Sequence, residues 1–81
     1  MSGADYARAA IAFHMLDFEQ TGTIGTGELI DALYEIDVEC NDFQVQSIVH
    51  AVRPKTANRL TFEEFLECVV RSFTLFVFFI D

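Results

Sequence analysis

Four stretches of the chain repeat apolar residues at intervals of three and four, a spacing that argues for packed amphipathic helices. Tyr6, Ala9, Ala10, Phe13 and Leu16 form the first stripe and predict a helix over about 4–16. Leu29, Ile30, Ala32, Leu33 and Ile36 form the second, and Val45, Ile48, Val49 and Val52 the third. The fourth starts at Phe62, with Phe65, Leu66, Val69, Val70 and Phe73 inward. Residues 17–28, rich in Gly and Thr, separate the first two stripes. The only proline, Pro54, opens a second irregular stretch over 53–61, because it removes a backbone donor and is excluded from helix interiors. Ser2 with Asp5, Asn41 with Gln44 and Thr61 with Glu64 have the spacing of capping boxes. The order predicted is helix, loop, helix, linker, helix, loop, helix, an all-α fold in one domain over 1–81.

Composition narrows the partners. A chain of 81 residues that is 52% hydrophobic, with nine Phe, is not a disordered one. Thirteen Asp and Glu against five Lys and Arg leave a net charge of −8. That balance argues against a nucleic-acid backbone and an anionic lipid surface, and suits a cation or a basic partner instead. Cys40 and Cys68 are too few for a disulfide-stapled miniprotein and are read as reduced thiols in the cytoplasm. The N-terminal residues lack the basic and apolar regions of a signal peptide. The longest uncharged apolar stretch, Ser72 to Ile80, is nine residues, whereas a membrane-spanning helix needs roughly 20. His14 and His50 have no Cys or His at metal spacing, and no arrangement of nucleophile and base points to an enzyme.

The first irregular stretch carries the chemistry. Oxygen-bearing side chains fall at its positions 1, 3 and 5 (Asp17, Glu19, Thr21), glycine at 6 (Gly22) and glutamate at 12 (Glu28). Calcium takes six to eight oxygens, and a twelve-residue loop supplies them from alternate side chains, a backbone carbonyl at position 7 (Thr23) and a bidentate glutamate at 12. Glycine at 6 permits the turn that brings that glutamate round.

This pattern resembles the EF-hand family. Arg59-Leu60-Thr61-Phe62-Glu63-Glu64-Phe65 is similar to the end of a second such loop, with Leu60 at position 8, Glu64 at 12 and Arg53 at 1. Asp17 and Arg53 stand 36 residues apart, as in the paired hands of calmodulin-like and centrin-like proteins, and the resemblance covers nearly the whole chain. It implies a paired EF-hand fold, with hand 1 over about 4–37 and hand 2 over about 41–80, and with loops 17–28 and 53–64. Ile24, at position 8, is expected to pair with Leu60 in a short bridge between the loops.

Metal binding is a separate matter from fold. In the second loop Arg53, Lys55 and Ala57 stand where ligands are expected, Asn58 replaces the turn glycine, and Arg59 adds another positive charge. Three cations repel a dication, so no calcium is expected there, and Glu64 is expected to pair with a loop cation. The first loop offers three carboxylates, with a neutral Thr21 and with Gly25 leaving position 9 to water. It is expected to hold at most one calcium, weakly, with Kd about 10⁻⁵ to 10⁻³ M, through Asp17, Glu19, Thr21, Thr23 and Glu28.

Phe65-Leu66-Glu67-Cys68-Val69-Val70-Arg71, followed by Thr74-Leu75-Phe76 and Phe78-Phe79, is similar to the helix that joins successive hands in calpain-type penta-EF-hand domains, and Phe73, Leu75, Phe76, Val77, Phe78, Phe79 and Ile80 form an apolar run. Such a run favours packing against a partner or another copy. The resulting expectation is an interaction module that binds an amphipathic helix or a larger assembly, largely without calcium. Phe13, Leu16, Leu33, Ile48, Val49, Phe65 and Val69 would line its groove, and Phe73, Phe76 and Phe79 would extend the contact. The alternatives are a calcium sensor or buffer working through loop 17–28, and a regulatory fragment of a calpain-like protein. The expected location is the cytoplasm, with the cytoskeleton as one site of association.

Overall fold

The structure, a computed structural model, describes residues 3–80, and side-chain surroundings through Phe73. Helix α1 runs Gly3–Leu16, α2 Leu29–Glu35, α3 Asp42–Val52 and α4 Phe62–Ile80. Two three-residue strands, β1 (Thr23–Gly25) and β2 (Arg59–Thr61), lie within the two loops, and a single 3₁₀ turn, Thr26–Glu28, leads into α2. The chain is therefore mostly helical, with one small antiparallel sheet. Among the described residues, no helix is long and apolar enough to cross a membrane.

Helix ends follow local chemistry. Asn41 Oδ1 accepts the Gln44 N–H at 2.8 Å while Gln44 Oε1 accepts the Asn41 N–H at 2.9 Å, so α3 starts in a reciprocal capping box. Thr61 and Glu64 make the same exchange at the start of α4, at 3.2 and 2.8 Å. Ser2, the expected cap of α1, lies outside the described residues. Helix α2 stops where Asp37 turns left-handed (φ 64°), and its N–H and that of Val38 reach back to the carbonyls of Tyr34 and Leu33. Val38 then buries itself beside Leu33 as the apolar clasp of that motif. Arg53 closes α3 with a left-handed φ of 55°, immediately before Pro54.

The sheet joins the two halves. Its register pairs Thr23 with Thr61, Ile24 with Leu60 and Gly25 with Arg59. Outside it, the Thr26 N–H donates to the Asn58 carbonyl at 3.0 Å. Ile24 and Leu60 are completely buried, as the sequence pairing implies. Their inward faces meet the core formed by Ala9, Ala12 and Phe13 of α1, Leu29, Ala32 and Leu33 of α2, Val45 and Ile48 of α3, and Phe65, Cys68 and Val69 of α4. Alanines at the α1 contact let α2 and α4 approach it closely. Phe13 meets the rings of Phe62 and Phe65 at 5.2 and 5.7 Å between centroids, and Tyr6 meets Phe62 edge-on at 5.9 Å. Arg8 ties α1 to the end of α2 through Asp37 at 2.6 Å, an exposed pair of small energetic weight.

Candidate functional site: two loops held by internal contacts

The first loop is organised around Asp17. Its Oδ1 accepts the Thr21 N–H at 3.0 Å and its Oδ2 accepts the Gly22 N–H at 2.9 Å. Gly22 takes φ 81°, a conformation that side-chain-bearing residues adopt only with strain, and this aims its N–H back at Asp17. Burial raises the Asp17 pKa, but the donors of Gly22 and Thr21 and the nearby Arg59 charge outweigh it and leave the carboxyl below its ordinary value. At the far end of the loop, Glu28 Oε1 accepts the Gly25 N–H at 2.9 Å, which closes the 3₁₀ turn. Glu19 is exposed. Among the described residues, no three Asp, Glu, His or Cys side chains stand together as a metal-ligand group.

A cation does reach this loop, and it comes from the other one. Arg59 leaves β2 opposite Gly25, which pairs with it in the sheet. Its Nη2 donates to the Thr23 carbonyl and the Thr23 hydroxyl, both at 3.0 Å, and to the Thr21 hydroxyl at 3.4 Å. Its Nε donates to Thr23 Oγ1 at 3.1 Å. The Thr21 hydroxyl and the Thr23 carbonyl are two of the oxygens that the sequence resemblance assigns to calcium. Arg59 also lines, with Leu16, Asp17, Phe18, Glu19, Thr23 and Glu28, a recess of about 90 Å³ in the same loop. As arranged, these residues do not fit a calcium ion, because a guanidinium already uses part of the ligand set and brings a positive charge to it.

The second loop closes differently. Glu64 Oε1 accepts the Thr61 N–H and its Oε2 accepts the Lys55 N–H, both at 2.8 Å. The Thr61 and Lys55 N–H groups thus lower the Glu64 pKa; partial burial opposes them, and the Thr61 hydroxyl and Lys55 charge add smaller effects. The sequence led us to expect a loop cation as the Glu64 partner. Lys55 meets Glu64 through its backbone N–H instead, and its exposed side-chain charge adds only a small effect. Asn58, in the place of the turn glycine, takes φ 64°, a region that Asn tolerates better than most residues.

The residues predicted to line a groove are mostly interior. Phe13, Leu33, Ile48, Phe65 and Val69 are buried in the core, and Leu16, Val49 and Phe73 are half-buried against it. In this conformation the helices close over one another and present none of those five. The side chains of Phe76 and Phe79 lie outside the described residues. Among the described residues, the exposed large apolar side chains are others: Tyr6, Ile11, Met15, Phe18, Tyr34, Phe43 and Val70. Ile11 and Met15, with Arg8, Ala12 and Glu35, line a shallow depression between α1 and α2. Sequence reading missed this depression because both residues fall between the positions of the α1 stripe. It also missed the reach of Arg59 across to the first loop. No protein-family model matches the chain, and no curated protein matches it.

Proposed function

We propose that this chain is a degenerate EF-hand pair that works as a protein-interaction module whose shape does not depend on calcium. The observation that carries the reading is Glu64. The residue that would clamp a metal in a working second loop instead accepts two N–H groups of its own loop, from Lys55 and Thr61. The antiparallel pairing of Ile24 with Leu60 supports the paired-hand part of the proposal, since it couples the two loops at the position the resemblance assigns to that contact.

A partner is then recognised by apolar surface and charge rather than by a bound ion. With a net charge of −8, a basic amphipathic helix is the complementary ligand. Such a helix would part the closed helix pairs and take the contacts that Phe13, Leu33, Ile48, Phe65 and Val69 now make with one another. No catalytic role is proposed, and the apolar run after Phe73 is proposed as the second contact surface, toward a larger assembly or another copy. Calorimetric titration with a basic amphipathic peptide tests the reading. The affinity should be the same in calcium and in chelator; binding lost in chelator would assign the chain to the calcium-sensor class.

A further inference from the structure

We infer that Arg59 is the built-in cation of the first loop: its guanidinium replaces calcium on the oxygens of Thr21 and Thr23 and so excludes the ion. The inference rests on the paired-hand reading and adds to it the residue that decides the metal response of the first loop.

A calcium ion in a loop of this design draws on the Thr23 carbonyl and the Thr21 side-chain oxygen. Both already accept hydrogen bonds from Arg59 Nη2, and Nε adds a further one to the Thr23 hydroxyl. A guanidinium offers five donors in a rigid fork and remains charged at any accessible pH, so it can satisfy several oxygens at once without titrating away. Geometry holds it in place: Arg59 sits in β2, directly opposite Gly25, with its backbone fixed by the sheet. Its side chain is half-buried rather than a freely rotating surface group. An incoming dication would meet this positive charge within the loop and would have to displace at least the bonds to Thr21 and to the Thr23 carbonyl. The same contact links the two loops through side chains, beyond what the short sheet provides.

The sensitive test is gain of function. In R59Q the charge is removed and the side chain can no longer span the Thr23 and Thr21 oxygens. Calcium titration followed by NMR amide shifts of Gly22 and Ile24 should show saturable binding of one ion. Its Kd should be about 1 mM or below, at least about tenfold tighter than the 10 mM at which the unsubstituted chain stays unresponsive. Adding E28Q should abolish that gain. R59K, which keeps the charge, should stay as unresponsive as the original. The unsubstituted chain gives an independent readout should R59Q fold poorly. Its Arg59 Nε–H resonance should be resolved, slow to exchange and unmoved by 10 mM calcium. A folded R59Q that binds calcium no better than the original would overturn the inference. So would an Arg59 Nε–H signal that shifts or vanishes as the unsubstituted chain saturates with calcium. The second result would leave the paired-hand fold standing, whereas loss of the Ile24–Leu60 cross-strand contacts in the same spectra would count against the fold reading itself.

Discussion

Glu64 and Asp17 each gather two backbone N–H groups that their loops would otherwise leave to water. The chemistry has a pH signature with a definite sign. Both carboxyls have pKa values lowered in the folded chain, so their contribution to stability is fully present above the unfolded carboxyl range of about 4 and is lost as pH falls through the folded values. Urea midpoints measured from pH 7 down to pH 3 should therefore fall below about pH 4.5. E64Q should start about 1 kcal/mol less stable at pH 7 and show a shallower fall, because an amide supplies one acceptor where the carboxylate supplied two. The two buried strand residues carry far more. Ile24→Ala or Leu60→Ala removes a completely buried side chain from the seam between the halves and should cost about 2–5 kcal/mol in urea unfolding. Cysteine chemistry is settled by burial too. Burial above all, with the Glu67 and Glu64 charges adding to it, pushes the Cys68 thiol up to about 12, so alkylation of the native chain at pH 8 should label Cys40 first and reach Cys68 only on unfolding.

At the scale of elements, the helices were legible because their signals are local. Apolar spacing placed α1 to α4, and the Asn41–Gln44 and Thr61–Glu64 caps fixed two of the starts. The pairing of Ile24 with Leu60 was legible as well, since loop numbering alone put both at the same position. What was not legible depended on where a long side chain goes after the backbone is set. Arg59 could have faced solvent or an acidic partner; the sheet register sets it opposite Gly25, and its side chain reaches Thr23. Glu64 was expected to find a side-chain cation and found a backbone N–H instead. The openness of the helix pairs is likewise a tertiary property: the stripes identified Phe13, Leu33, Ile48, Phe65 and Val69 as apolar, but the same pattern serves a closed core or an open groove. Helix α4 follows from its cap. Thr61→Ala should lower stability by about 1 kcal/mol, and circular dichroism during urea titration would register it as an earlier midpoint.

For the molecule as a whole, the acidic balance is unevenly laid out, and its unevenness explains the proposed behaviour. Three of the five basic residues lie within 53–59, in the second loop. One of them, Arg59, is spent on the first loop, and another, Lys55, lends its backbone to Glu64. Both loops thus have internal partners for groups that in a metal-dependent pair would await an ion. The central claim is that this chain holds its shape without calcium. Equilibrium urea unfolding in 1 mM calcium and in excess chelator tests it most directly. Superimposable curves are predicted. An ion held by the native chain at 100 times its Kd would add about 2.7 kcal/mol, so a calcium curve displaced to higher urea by that order would contradict the account.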